Sequence, residues 1–266
     1  MKQPAIYFPH GGGPWHVMEG SPFAPHSSYA PLRKYLEDLP ASLPAPPKAV
    51  LMVSAHWEAK VPTLQGAAQP GMLYDYGGFP PHTYKIQWPA PGAPELAAQV
   101  QDLLRSAGLA SAVEPTRGFD HGTFVPMMVA WPKADIPTLQ ISLIQGLDPK
   151  AHLELGRALA PLREQGVLIL GSGLSFHNLR MFGRPEASTH SQRFDAWIHS
   201  LAPMSAEKRW AALTHWKRAP SALESHPREE HLLPLMVVAG AGEDAAVQVS
   251  YSNEIMGFRV SALHFG

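Results

Sequence analysis

The chain has 266 residues with 21 basic and 22 acidic side chains, a net charge of -1 that excludes an electrostatic footprint for nucleic acid or an anionic membrane surface. Apolar residues make up 45%, enough for a sizeable core and too many for wholesale disorder. Cysteine is absent, which rules out disulfide scaffolds, thiolate metal sites and cysteine nucleophiles.

Short apolar runs, many of them β-branched, alternate with helical periods along the chain. Strands are predicted at Ala5–Phe8, Ala49–Val53 and Tyr84–Trp88. A helix follows, with Leu96, Val100, Leu103 and Leu104 on one face, entered through Pro94 and closed by Gly108. Next come a helical stretch over Thr123–Trp131, a strand over Thr138–Ile144, and a helix carrying Leu155, Leu159 and Leu162 that ends before Gly166. Val167–Leu170 is a wholly apolar strand, as is Ala49–Val53, the pattern of strands covered on both faces. Ser191–Leu201 and Leu232–Val238 read as helices, and Val247–Tyr251 and Phe258–Leu263 as the last strands. This alternation predicts an α/β fold with a central, mostly buried sheet flanked by helices. The Pro-rich stretches Pro40–Pro47 and Pro89–Pro94 are too short for linkers, so residues 1–266 are expected to form a single domain. With no run of 18 apolar residues and no secretory signal, the expected location is the cytoplasm, without membrane contact.

Histidine occurs 14 times without any His-rich tract, and neutral imidazole is the commonest side-chain ligand of zinc and iron. Sites in α/β sheets lie beyond the carboxyl ends of strands. His10, His56 and His177 each follow a predicted apolar strand. His226 and His231 stand at the expected start of the helix through Leu232–Val238, and His121 precedes the one over Thr123–Trp131. No H-E-x-x-H accompanies them, so spacing alone does not choose ligands among them. The glycines in His10-Gly-Gly-Gly-Pro14 and Gly171-Ser-Gly173 fit neither a P-loop nor a dinucleotide fingerprint. Gly171–Ser175 also departs from the G-x-S-x-G nucleophile elbow. Tight turns and close backbone approach are the remaining use for these glycines. Trp15, Trp57, Tyr74, Tyr76 and Phe79 lie near these stretches and read as core or rim aromatics.

Taken together, PAIYFPHGGG, VSAHWE, LYDYGGFPPHTY, PAPGAPELA, RGFDHGTFVPM, GSGLSFHNLR and HPREEHLLPL resemble, in order and spacing, the class III extradiol ring-cleavage dioxygenases, and most closely their DOPA-4,5-dioxygenase-like branch. SYSNEIMGFRV resembles the last strand region of that family, so the likeness covers nearly the whole chain. The resemblance implies metal ligation by His10, His56 and His231. It implies catalytic roles for His177, with a fourth ligand the alternative, and for His121, which lines the substrate pocket. Tyr74, Tyr76 and Phe79 are expected to wall the ring's pocket. Many extradiol enzymes present two histidines and a carboxylate to Fe(II). Here the third position matches His231, and three imidazoles suit Zn(II) as well as Fe(II). Glu229 and Glu230 adjoin His231, but on a helix a neighbour points about 100° away. The implied cofactor is one divalent ion per chain, Fe(II) or Zn(II). The implied partners are a small catechol-type aromatic substrate and O2, with self-association left open. A zinc-dependent hydrolase, or a non-catalytic metal-binding relative on the same scaffold, is the alternative reading.

Overall fold

A computed structural model describes residues 1–266. Eight strands form one sheet: β1 (Ala5–Pro9), β2 (Ala49–Ala59), β3 (Thr63–Gln65), β4 (Ala112–Glu114), β5 (Thr138–Ile144), β6 (Val167–Gly173), β7 (Val247–Ile255) and β8 (Phe258–Phe265). Their order is β4-β3-β5-β2-β6-β1-β8-β7. The central strands β5, β2, β6 and β1 are mutually parallel, whereas the β7–β8 hairpin runs antiparallel to β1 and extends the sheet on that side.

Successive side chains on a strand point to opposite faces, and both faces here are apolar. Ala5, Tyr7, Leu51, Val53 and Ile169 belong to one core, Ile6, Phe8, Val50, Met52, Leu168 and Leu170 to the other. Nine helices cover them: α1 (His26–Asp38), α2 (Pro94–Ser106), α3 (His121–Ala130), α4 (Pro149–Leu159), α5 (Pro161–Glu164), α6 (Pro185–Ser200), α7 (Ala206–Thr214), α8 (Ala222–Ser225) and α9 (Leu233–Ala241). Residues of α2, α4, α6 and α9 supply the first core, and residues of α1 and α3 the second. All nine residues of α9 are buried, which explains a sequence that is apolar around its whole circumference. No helix is long and apolar enough to cross a membrane.

The α/β expectation holds, with four local corrections. Tyr84–Trp88 is not a strand. A 3-10 turn covers Pro81–Lys85 and the chain then runs extended without a ladder partner, hemmed by prolines that lack the N–H a ladder needs. The helix α1 was not predicted, because Pro31 interrupts a segment whose apolar positions Tyr29, Leu32 and Leu36 otherwise keep helical spacing. β2 continues well past Val53, so His56 lies within the strand, where pairing with β5 shifts register between Val53 and Glu58. Finally, α9 starts at Leu233, leaving Glu230 and His231 in the turn before it. The helical-wheel argument separating those two side chains therefore does not apply.

Candidate metal and active site

The parallel strands β1, β2 and β6 end on the same side of the sheet, and each carries chemistry there. His10 directly follows β1, and its backbone N–H donates to Gly173 O at 3.2 Å, prolonging the ladder by one bond. The turn after it requires glycine: Gly11 has φ +82°, and a Cβ there would fall 2.4 Å from the Trp15 indole nitrogen. That nitrogen donates to His10 O at 2.8 Å. At the end of β6, a Cβ on Gly173 would lie 2.1 Å from His231 O. The bare backbone there lets Leu174 N–H and the Tyr7 hydroxyl both donate to His231 O, at 3.2 and 2.9 Å. The turn bearing His231 is thereby fastened to the sheet although it is 224 residues away from Tyr7 in sequence.

His56 is held by its backbone. Its N–H donates to Ser54 Oγ at 3.2 Å, and its carbonyl accepts from Arg117 at 3.3 Å. Ser54 in turn donates to the buried Asp120 at 2.7 Å, which also accepts from Arg117 and Gln140. Burial pushes the Asp120 carboxyl up, and the nearby Asp75 charge adds to the effect.

These supports bring His10, His56 and His231 together. Nε2 of His56 lies 3.1 Å from Nε2 of His10 and 3.3 Å from Nε2 of His231. Neighbouring contacts decide where the protons sit. Ser172 Oγ gives its single proton to Gly122 O, so it accepts from Nδ1–H of His10 at 3.0 Å. Nδ1 of His231 donates to Glu230 Oε1 at 2.9 Å, since a carboxylate only accepts. Nε2 of both rings is therefore an unprotonated lone pair in the neutral state. Burial first, and then the neighbouring imidazoles, push the pKa of all three histidines well below the ordinary value. Nδ1 of His56 faces Asp75 Oδ2 at 3.5 Å, and with the His56 proton on that side its Nε2 lone pair faces the other two, an arrangement that repels unless a cation lies between them. Nitrogens about 2.1 Å from one ion stand about 3.0 Å apart at right angles and about 3.4 Å apart at tetrahedral angles, and the two measured separations fall inside that range. The donor set fits a divalent metal.

Two further histidines border this trio. His177 stacks on His231 with ring centroids 3.3 Å apart, and its Nδ1 donates to the same Glu230 oxygen at 3.1 Å. His121 gives both its backbone N–H and Nδ1–H to Asp75 Oδ1, at 2.9 and 2.8 Å, and its ring centroid lies 3.9 Å from that of His56. Ring nitrogens of His10, His56 and His121 also lie within 4.8 Å of one another, a second set of three that could hold an ion. Burial raises the carboxyls of Asp75 and Glu230, but hydrogen bonds and nearby positive charge outweigh it, so both stay below their ordinary values.

All five histidines line one cavity of about 430 Å³. Tyr76 and Phe79 line it too. Tyr74 stands outside the lining, with its hydroxyl donating to Ile86 O at 2.6 Å and its ring edge-on to Tyr76.

With this geometry in view, the family comparison is decisive: residues 4–262 match the model of the catalytic LigB subunit of aromatic ring-opening dioxygenase. The chain belongs to this family. Among the relatives of this ring-opening dioxygenase family member, a protein named dioxygenase tasH from Hapsidospora irregularis is 38% identical over 281 residues, covering 99% of the chain and 85% of that protein. A 4,5-DOPA dioxygenase extradiol from Beta vulgaris is 36% identical, covering 89% of the chain and 90% of that protein. One from Escherichia coli strain K12 is 30% identical, covering 90% and 85%. The crystal structure of an uncharacterized protein from Escherichia coli K12 superposes with a TM-score of 0.78 at 25% identity, over 100% of both chains.

The ring-opening dioxygenase fold also gives roles to Asp75 and Ser172, which nothing in the sequence singled out, and makes Glu230, weighed in sequence as a neighbour of His231, an acceptor for two imidazoles. Asp75 sits between the two tyrosines named above and orients His121. Ser172 and Glu230 settle which nitrogen of His10, His177 and His231 carries the proton. Asp75 and Ser172 are ordinary polar residues in sequence, and only Glu230, next to His231, offered a signal.

Proposed function

We propose that the chain opens the ring of a catechol-type substrate with O2, using a divalent metal held by His10, His56 and His231. The observation that carries this reading is the convergence of the Nε2 atoms of three imidazoles, two of them with the proton fixed on the far nitrogen. When bound, a redox-active ion supplies the electronic coupling that the spin-forbidden reaction of triplet O2 with a singlet catechol otherwise lacks, and it orients the two reactants. That requirement favours Fe(II), because Zn(II) has no redox chemistry.

The chain's own groups do the rest. His177, with Nδ1–H tied to Glu230, presents an unprotonated Nε2 that takes a catechol hydroxyl proton. The Glu230 carboxylate then stabilises the imidazolium until the proton is returned. His121, oriented by Asp75, hydrogen-bonds substrate or oxygen. Tyr76 and Phe79 wall the ring. Tyr74 supports Tyr76 edge-on from behind, which assigns it to the pocket indirectly.

Anaerobic purification, metal analysis and a panel of catechols in an oxygen electrode test the proposal. One iron per chain, one O2 consumed per ring and a yellow ring-opened product are expected. Zinc with ester or amide turnover, or no O2 uptake with any metal, overturns it.

A further inference from the structure

We infer that the substrate's ring carries an uncharged, apolar substituent, which the mouth of the histidine cavity is built to cover. This rests on the proposed ring cleavage for the ring's own placement, but the evidence for the substituent lies in the cavity's outer half.

The first observation is charge. No lysine, arginine, aspartate or glutamate lines the cavity. A carboxylate or ammonium on a substituent reaching the outer half would meet no side-chain counter-ion there, the metal and the histidines lying at the other end, and would give up part of its hydration against apolar walls. The polar lining is concentrated at the histidine end, where the two ring hydroxyls are needed.

The second is the rim. Phe23, Leu179, Phe182 and Met256 are 54, 65, 38 and 36% exposed, and all four line this one cavity. Single exposed apolar residues are ordinary, but several around one opening form a patch that marks a binding surface. The patch continues inward without a break. Phe23 lies edge-on to Phe79 at 5.9 Å, and Phe182 stacks on Phe258 at 4.7 Å. Met256 stands at the tip of the β7–β8 hairpin with φ +51°, followed by Gly257 at +87°. Such a two-residue turn favours asparagine or glycine at its first position. A methionine there gives up turn preference and places a flexible apolar side chain at the opening.

The third is size. A volume near 430 Å³ holds about fourteen waters at roughly 30 Å³ each. Catechol has only eight non-hydrogen atoms, so a bare ring leaves much of the space unfilled.

Two paired probes test the inference. Catechol, 4-methylcatechol and 4-propylcatechol are compared with 3-(3,4-dihydroxyphenyl)propanoate and DOPA by kcat/KM for ring opening. Each methylene covered by the rim should raise kcat/KM about fourfold, and the charged pair should fall about tenfold or more below 4-propylcatechol. In parallel, calorimetry measures binding of 4-propylphenol and 3-(4-hydroxyphenyl)propanoate, which lack the second hydroxyl and need no turnover. Phe23→Lys, at an exposed wall position, should shift binding toward the carboxylate of that pair. Ring opening with a preference for the charged compounds overturns the inference while leaving the proposed function standing. No ring opening, with 4-propylphenol still bound more tightly, supports the inference and removes the proposed function. Equal binding of both phenols, or failure of both to bind, overturns the inference whatever the turnover shows, and leaves the patch to a second copy of the chain or another partner.

Discussion

Glu229 and Glu230 are adjacent in sequence, yet the structure gives them unequal consequences. Glu230 Oε1 accepts from Nδ1–H of both His177 and His231 at 3.1 and 2.9 Å, whereas Glu229 Oε1 meets only the exposed Lys217 at 3.0 Å. Replacing Glu230 with alanine removes two imidazole hydrogen bonds to a charged acceptor, each of about 1.5–3 kcal/mol, and an exposed contact from Arg228 at 3.3 Å. The carboxylate is 13% exposed, so water reaches the vacated position and recovers part of that loss. What remains is poorer orientation of His231 and a free choice of tautomer in both rings. Outer partners of this kind are worth about 10–100-fold in metal affinity, which is about 1.4–2.7 kcal/mol. Glu229→Ala removes a surface ion pair of about 0–1 kcal/mol and leaves intact the backbone bonds that Leu232 and Leu233 N–H donate to Glu229 O. The assay is an Fe(II) or Zn(II) competition against a chromophoric chelator, run anaerobically, with a thermal melt of each variant. Glu230→Ala should weaken binding by 10–100-fold and Glu229→Ala by less than about twofold. Equal affinities in the two folded variants would refute the orienting role of Glu230.

His177→Ala should retain the metal after dialysis and lose ring opening by about 10²–10⁴-fold, the usual worth of a general acid–base; loss of metal would make His177 a ligand instead. His56→Ala should lose the metal, because one of the three converging nitrogens goes, and elemental analysis equal to the parent chain would contradict the ligand set. Gly173→Ala places a Cβ 2.1 Å from His231 O, and should cost on the order of 1–3 kcal/mol in urea melts and release metal as the His231 turn is displaced; an unchanged melt and metal content would show that the turn can move freely. His226 is fully buried, its Nε2–H donating to Ser175 O, and burial lowers its pKa to about 3. The unfolded chain, with an ordinary histidine near 6.5, therefore takes up this proton first, so stability is complete above about pH 6.5 and falls as the pH drops toward 3. At pH 5 the cost is about 2 kcal/mol, and His226→Leu should remove that share of the difference between urea midpoints at pH 7 and pH 5.

The layered α/β fold was legible because its determinants are local. The short, wholly apolar runs at Ala49–Val53 and Val167–Leu170 read as strands covered on both faces, and the period of Leu96, Val100 and Leu104 reads as one buried helix face. His10, His56 and His177 were also visible as candidates, since each follows a predicted apolar strand. Other features depended on partners far away in the chain. The three-residue strands β3 and β4 carry too little periodicity to register, and exist because β5 and each other supply their ladder bonds. Tyr84–Trp88 has strand-like residues but no strand beside it. The site shows the same division most sharply. Histidine count and placement pointed to a metal, but the separations of 3.1 and 3.3 Å among three Nε2 atoms arise only when β1, β2 and the turn before α9 are side by side. The proton positions were further out of reach, because they depend on Ser172, Glu230 and Asp75, whose partners are 162, 53 and 46 residues away. Periodicity records which face of an element is buried, and tertiary contact alone decides which side chains meet across elements and which nitrogen keeps its proton.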